Sequence, residues 1–230
     1  NLYSKTRGIN RFPALVRALN LCKERKEIIA RGVKVMDTSP LEDWIKRETK
    51  LGNPTLKKEV ESGNNALKPV LDWSVEVNKF IEELVFGVPP FPYFKQSLLK
   101  IIEQADVMVV SQTPTDALIR EWKEHDIAKY VRVIAGQELG TKSDHIRLAA
   151  GGKYENKKIL MIGDAPGDFK AAKSNNALFY PIIPGKEEQS WERFFNEAID
   201  KFFSGNYSGK YEQNLITEFD ASLPELPPWV

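Results

Sequence analysis

The stretch KKILMIGDAPGDFKAAKSN, residues 157–175, decides the fold. Its apolar run at 158–162 predicts a buried strand, and the residues after Pro166 predict a helix. Two aspartates, Asp164 and Asp168, stand four residues apart where the strand ends. Because a carboxylate is costly to bury without compensation, this pair predicts a charged site at the end of the strand.

Short apolar runs alternate with helical stretches on both sides of this segment. The pattern predicts strands at 107–110, 130–134, 158–162 and 178–183, and helices at about 115–126, 142–151, 168–174 and 188–203. Such alternation indicates parallel strands joined by right-handed crossovers, and continuous apolar strands indicate burial on both faces. We therefore predict a Rossmann-like, three-layer α/β core over residues 93–205.

The sequence before this core has a different pattern. Apolar residues recur at helical spacing over residues 1–92, which predicts an all-helical cap domain. The prolines of GVPPFP, residues 87–92, exclude a helix interior and indicate a linker. Residues 206–230 are rich in Gly, Tyr and Pro, and we predict an irregular C-terminal arm there.

Composition limits the classes of function. The 230 residues carry a net charge of +1, which argues against a nucleic-acid partner. No apolar run reaches the roughly 20 residues that cross a bilayer, so we predict no membrane partner. Cys22 is the single cysteine of the chain, which excludes an internal disulfide and favours the reducing cytoplasm.

Two further polar residues stand at ends of the predicted elements. Ser111 follows the first strand, and the next residues, from Thr113, have their own helix-capping pattern, which leaves the Ser111 hydroxyl free. Lys142 falls in the first turn of a helix capped by Thr141 and Asp144, where a cation opposes the helix dipole. A surface lysine tolerates that position, and an anion-binding lysine exploits it.

Parallel sheets bind ligands at the carboxyl ends of their strands, so these residues are candidates for one site. Two converging carboxylates are typical of a hard cation such as Mg²⁺, which also accepts water and phosphate oxygens. Structural alternatives stay open for each residue, because Ser111 also suits a helix cap and Asp168 suits the first turn of a helix.

In chain order, Ser111, Lys142 and the set Gly163-Asp164-x-x-x-Asp168 resemble the motifs of the haloacid-dehalogenase-like hydrolase superfamily. The resemblance covers residues 93–185, and the phrases NLYSKTRGINRFPAL and SQTPTDALIREW resemble a bacterial subgroup of unassigned substrate.

The resemblance implies a function and a role for each residue. Ser111, with its neighbour Gln112, binds the transferring phosphoryl group, and Lys142 neutralises the nucleophile and phosphoryl oxygens. Asp164 and Asp168 bind Mg²⁺. The implied protein is a Mg²⁺-dependent phosphatase that acts on a small phosphorylated metabolite through an aspartyl-phosphate, with residues 1–92 as its cap.

The sequence departs from the family at one essential place. The family begins with a strand that ends in Asp-x-Asp, and no Asp-x-Asp occurs in these 230 residues. The resemblance places that strand between those at 107–110 and 158–162, so we expect a strand outside this chain to carry the nucleophile. The chain alone is then expected to be inactive. Asp37 is the nearest substitute, and we assign it to the cap.

Several alternatives remain open. Lys5 and Arg11 belong to a polar cluster that also contains Arg7 and Asn10, and these residues suit either substrate binding or a solvated helix start. The competing functions are a non-catalytic binding or regulatory relative and, within the family, a phosphonatase, a dehalogenase or a mutase. The two histidines, His125 and His145, are predicted to lie on the surface, and the substrate and oligomeric state stay open.

Overall fold

A computed structural model describes residues 1–227 and residue 229 of the chain. It is a mixed helix and strand structure that divides into two compact units. One unit is built mainly on Gly8–Phe86, and the other contains Leu2–Arg7 and Gly87–Glu225. The division falls at the start of the predicted linker, but Leu2–Arg7, which the sequence placed in the cap, joins the second unit.

The first unit is helical. Its helices are α1 (Arg11–Glu24), α2 (Lys26–Ala30), α3 (Ser39–Arg47), α4 (Asn53–Glu61) and α5 (Lys68–Leu84). Apolar side chains at helical spacing form its core, in which Phe12 and Trp44 pack edge to face with ring centroids 5.2 Å apart.

The second unit alternates strands and helices as the sequence predicts. Its elements are α6 (Phe94–Ile101), β1 (Met108–Val110), α7 (Thr115–Glu124), β2 (Val133–Ala135), α8 (Lys142–Ala150), β3 (Leu160–Gly163), α9 (Pro166–Ser174), β4 (Leu178–Pro181), α10 (Glu187–Arg193), α11 (Ile199–Phe203) and α12 (Lys210–Ala221). A π-helical turn, Phe194–Ala198, joins α10 to α11. All four predicted strands are present, although the second occupies Val133–Ala135 rather than 130–134.

The strands pair in two separate parallel sheets. Strand β1 pairs with β2, with Met108 opposite Val133, and β3 pairs with β4, with Leu160 opposite Leu178. The parallel direction is confirmed, and within the described residues no hydrogen bond joins β1 to β3. The finding is thus a mixed α/β structure with two small parallel sheets.

One edge of β1 and one edge of β3 are open. The carbonyl of Val107 accepts the Arg132 amide at 2.8 Å, so the alternate residues Met108 and Val110 direct their backbone groups away from β2. Next to β3, the carbonyl of Ile159 accepts the Leu178 amide of β4 at 2.8 Å. The alternate residues Leu160 and Ile162 therefore direct their backbone groups away from β4. None of these four residues has a backbone partner at its open edge among residues 1–227 and 229.

The β3–β4 sheet is covered on both faces. One apolar cluster takes Met161 and Phe179 together with Ile146, Ala172 and Phe219 from three helices. A second cluster takes the alternate residues of β4, Leu178 and Tyr180, with side chains of the segment from α10 to α12. Every residue of β4 is buried as a result.

The outer edge of β4 is closed by side chains. The Phe179 amide donates to Glu212 at 2.9 Å, and the Tyr207 hydroxyl donates to the Phe179 carbonyl at 2.7 Å. These bonds come from α12 and the loop before it, so the prediction of an irregular arm at 206–230 was wrong for α12. The glycines before this segment led to the prediction of irregular structure. The segment is a helix in which Leu215 and Phe219, four residues apart, are buried.

None of the helices in the described residues combines the length and the apolarity that crossing a bilayer requires.

Candidate functional site

Asp168 is the buried centre of the site. Its side chain is only 3% exposed, and its Oδ2 accepts the backbone amides of Asp164 and Ala165, both at 3.1 Å. Its Oδ1 accepts a charge-assisted hydrogen bond from the ammonium group of Lys142. The carboxylate therefore fixes the turn that leaves β3 and attaches the first residue of α8 to it.

Gly163 makes room for this arrangement. A Cβ atom at position 163 would lie 2.5 Å from Cγ of Asp168, which is closer than real Cβ atoms come to a neighbour. The glycine beside Asp164 is therefore required by the close packing of Asp168 against the last residue of β3.

Asp164 lies in a more open environment. Its side chain is 48% exposed, and its Oδ2 accepts two hydrogen bonds from Arg7, at 2.6 Å from Nη2 and 3.3 Å from Nε. Its Oδ1 has no hydrogen-bond or ion-pair partner within the described part of the chain. Glu187 lies 4.0 Å from the same Arg7 Nη2, so Arg7 sits between two carboxylates.

Lys142 occupies its position because the predicted capping box forms. The Thr141 hydroxyl accepts the Asp144 amide at 3.2 Å, and Asp144 accepts the Thr141 amide at 3.1 Å. The Thr141 hydroxyl and amide, with Arg147, lower the pKa of Asp144 to about 2. Helix α8 begins at Lys142 as predicted, and its lysine is neutralised by Asp168.

Ser111 and Gln112 follow β1, and Gln112 contacts the loop before α8. The Ser111 hydroxyl accepts the Thr113 amide at 3.1 Å, so the prediction that this hydroxyl is free of the turn was wrong. The N-terminus of α7 is capped by Glu138, whose carboxylate accepts hydrogen bonds from the amide and the hydroxyl of Thr115. The Gln112 side chain donates to the Gly140 carbonyl at 3.2 Å, two residues before Lys142.

These contacts form a continuous path along one edge of the second unit. The path runs from Gln112 to the loop before α8, then from Lys142 to Asp168, and from Asp168 to the backbone of Asp164. Three stretches that are distant in sequence thus meet at the carboxyl ends of β1 and β3. Arg7 belongs to the same group, and sequence reasoning noted it only as part of a polar cluster.

The other predicted binding residues have different contacts. Lys5 forms an ion pair with Asp220 at the end of α12. Arg11 lies in the helical unit, where it donates to Ser74 at 3.1 Å and to Asn78 at 2.7 Å. Asp37, also in that unit, accepts the amide and hydroxyl of Ser39, which is a helix-capping role and lowers its pKa.

The prediction of a surface position was wrong for His145, and His125 is half-buried. His145 on α8 is 3% exposed, and neither of its ring nitrogens has a partner among the described residues. The Nε2 atom of His125 is buried in the same way. The helical spacing concealed this burial, because the inner face of α8 includes His145 beside Ile146.

The donor set at the carboxyl edge suits a divalent cation in part. Asp164 offers an exposed carboxylate with one oxygen free of described partners, and Mg²⁺ takes one or two carboxylates with waters and phosphate oxygens. Both Asp168 oxygens are already engaged by two amides and an ammonium. In the described residues no three His, Cys, Asp or Glu side chains cluster as a metal site.

A cavity of about 510 Å³ lies at the opposite, amino-terminal end of β1. Its lining includes Asp106, Tyr130, Arg132 and Tyr154, and the Asp106 carboxylate is bound by Arg132 at 2.9 Å and by Tyr154 at 2.6 Å. Asp106 and Arg132 therefore satisfy each other, and Lys129, which also lines the cavity, pairs with Asp126.

Comparisons with known proteins complete the description of the site. Family models, curated proteins and solved structures gave no significant match to the sequence or the fold, so they assign the chain to no family.

Proposed function

We propose that the chain is part of a haloacid-dehalogenase-like, Mg²⁺-dependent phosphatase that acts on a small phosphorylated metabolite in the bacterial cytoplasm. A single observation carries the proposal. Two of the three motifs are in direct contact, since the Lys142 ammonium binds Asp168, which also accepts the Asp164 amide. The third is linked through Gln112, the neighbour of Ser111, which donates to the Gly140 carbonyl two residues before Lys142. The Lys142–Asp168 contact supports the resemblance, because neither motif alone requires the other 26 residues away.

Each residue has a role that its contacts support. Lys142 is held by Asp168 at the first turn of α8, so its charge and the helix amides face the same anion. Ser111 uses an oxygen lone pair on the Thr113 amide, which leaves the hydroxyl proton for a phosphoryl oxygen. Gln112 positions the loop before α8.

Asp164 is the residue we propose as the Mg²⁺ ligand of this chain. When bound, Mg²⁺ would neutralise charge on the phosphoryl oxygens. The sequence predicts that both aspartates bind the metal, and we now propose this role for Asp164 alone. Both oxygens of Asp168 are engaged, one by Lys142 and the other by the two amides of the turn. Asp168 is thus proposed as a positioning residue that also adds negative charge near the cation.

The nucleophile is proposed to lie on a strand that pairs with both β1 and β3. The open edges at Met108, Val110, Leu160 and Ile162 support this, since a strand between them would satisfy the backbone groups of both sheets. An aspartate at the carboxyl end of such a strand would attack phosphorus beside Lys142 and Asp164, break the P–O bond to the substrate alcohol, which leaves, and form an aspartyl-phosphate. Water would then hydrolyse the aspartyl-phosphate to inorganic phosphate and regenerate the aspartate.

A non-catalytic binding protein is the second candidate. It is favoured by one observation: every carboxylate described at the site is engaged, Asp164 by Arg7 and Asp168 by Lys142. A phosphonatase would need a lysine that forms a Schiff base, and the ammonium of the candidate, Lys5, is occupied by Asp220. A dehalogenase would not need the acidic pair, and a mutase would use the same groups as the phosphatase.

The test is Mg²⁺ binding and phosphate release by the full-length protein. Asp164→Asn is expected to weaken Mg²⁺ binding by at least about tenfold in calorimetry, because it removes the exposed carboxylate. Aryl phosphate hydrolysis should fall with it. Asp106→Asn is the matched control, since Asp106 forms an ion pair at the other end of β1.

Unchanged Mg²⁺ affinity in Asp164→Asn would contradict the metal assignment. Phosphate binding without turnover, in protein with an intact Asp164, would favour the binding-protein candidate.

A further inference from the structure

The N-terminal strap, defined here as Leu2–Arg7, places a cation on Asp164. Arg7 donates twice to Asp164 Oδ2, and its side chain is 16% exposed, whereas the Asp164 side chain is 48% exposed. The guanidinium therefore lies on the inner side of the carboxylate. The outer oxygen, Oδ1, has no partner among the described residues.

The backbone of the strap is anchored independently of this ion pair. The Lys5 amide donates to the Pro224 carbonyl at 3.2 Å, and the Lys5 ammonium binds Asp220. The Arg7 amide donates to the Ser4 carbonyl at 2.9 Å, which closes a turn. Arg7 Nη1 also donates to the Leu2 carbonyl at 2.6 Å, so a movement of the guanidinium changes this one contact and leaves the Lys5 contacts of the strap in place.

Arg7 has a second carboxylate within reach. Glu187, at the start of α10, lies 4.0 Å from Arg7 Nη2, and its side chain is 20% exposed. Glu187 Oε1 accepts the Gly185 amide at 3.0 Å, so this carboxylate is held in place. A small change of side-chain torsion would exchange Asp164 for Glu187 as the partner of Arg7.

We propose that Arg7 is a displaceable counter-ion: it holds the Asp164 carboxylate and transfers to Glu187 when a divalent cation binds Asp164. This inference rests on the proposed cation site at Asp164. A divalent cation on Asp164 would lie within a few ångströms of the guanidinium, and two cations at that distance repel strongly where water is partly excluded. Glu187 offers the displaced charge a partner and so lowers the cost of exchange.

Three substitutions separate the steps, with Mg²⁺ alone as the probe. Arg7→Gln removes the competing charge and is expected to tighten Mg²⁺ binding by about three- to tenfold in calorimetry. Arg7→Lys keeps the charge and should stay close to the unmodified protein. Glu187→Gln removes the second partner and is expected to weaken Mg²⁺ binding by about two- to fivefold.

Arg132→Ala is the matched control. It removes an arginine of an exposed ion pair with Asp106 in the same unit and should leave Mg²⁺ affinity unchanged. Thermal unfolding of each variant checks that the fold is retained.

The Arg7 Nε–H signal in ¹⁵N NMR, assigned by its loss in Arg7→Gln, gives a readout that does not depend on activity. It should shift as Mg²⁺ is added to the unmodified protein and should not shift in Asp164→Asn.

The outcomes are distinguishable. One outcome is that Mg²⁺ binding requires Asp164, while Arg7→Gln does not change the affinity and the Arg7 signal does not shift. That outcome would overturn the exchange of Arg7 between carboxylates and would still support the cation site at Asp164. No Mg²⁺ binding in either the unmodified protein or Arg7→Gln would overturn the cation site and the exchange together.

Discussion

Strands β4 and β1 are both short parallel strands with a single neighbour, yet they are buried to different extents. All four residues of β4 are buried, and its outer edge is closed by Glu212 and Tyr207. Strand β1 is only partly buried along its length, and its free edge has no backbone partner among the described residues. Pairing alone does not bury a strand, because its second edge and both faces also need cover.

The difference matters because the candidate site draws on both sheets. Ser111 and Gln112 follow β1, whereas Asp164 and Asp168 follow β3. We therefore expect the β3–β4 half to hold its side chains rigidly and the β1 half to open at lower free-energy cost.

Deleting a core side chain gives the largest expected contrast between the two sheets. Phe179 of β4 is 1% exposed and packs against Phe169 and Phe219. Phe179→Ala should lower the free energy of unfolding by about 3–5 kcal/mol. Val133→Ala on β2, at a side chain that is 46% exposed, should cost less than about 1 kcal/mol in the same urea titration. Similar losses from both changes would refute the contrast.

The two sheets also differ in how much their neighbouring ion pairs contribute to the free energy of unfolding. Asp168→Asn leaves the Lys142 ammonium without its buried counter-charge and should cost about 2–4 kcal/mol of unfolding free energy. Asp106→Asn breaks an exposed pair with Arg132 and should cost less than about 1 kcal/mol. Chemical denaturation of both variants measures the difference, and a larger loss at Asp106 would reverse it.

The smallest expected contrast is between two glutamates, one in each half, whose contributions to stability change with pH in opposite directions. Burial raises the pKa of Glu212 beside β4, so its charge opposes folding near neutral pH. Glu212→Gln keeps an oxygen for the Phe179 amide and should raise the melting temperature at pH 7 by about 1–3 °C. That gain should shrink as the pH falls through the folded-state pKa, because the native carboxyl then becomes neutral as well.

Glu138, which contacts the start of α7 in the β1 half, behaves in the opposite way. Hydrogen bonds from Thr115 lower its pKa, so its contribution is complete above the unfolded value of about 4.3 and is lost as the pH falls. Glu138→Gln should therefore lower the melting temperature at pH 7. Melting curves from pH 3 to 7, in steps of about one unit, test both signs. Parallel curves for the two variants would contradict the assignment.

Local patterns predicted much of the fold. The apolar runs placed all four strands, and the Thr141 and Asp144 spacing placed the start of α8, because these elements depend on short-range periodicity and capping. The helix at Lys210–Ala221 was missed, since flanking glycines dominated the composition while its burial depends on contacts with distant β4. Arg7 was missed as a partner of Asp164 for the same reason, because 157 residues separate the two.

The lengths of the crossovers have a consequence for how the second unit folds. The connection from β3 to β4 is shorter than that from β1 to β2, so closing it costs less chain entropy. The pairing of β3 with β4 also places Met161 beside Phe179 in one apolar cluster and Ile162 beside Tyr180 in the other. We expect amide protons of β3 and β4 to gain protection from hydrogen exchange first during refolding, before the site at the strand ends is assembled.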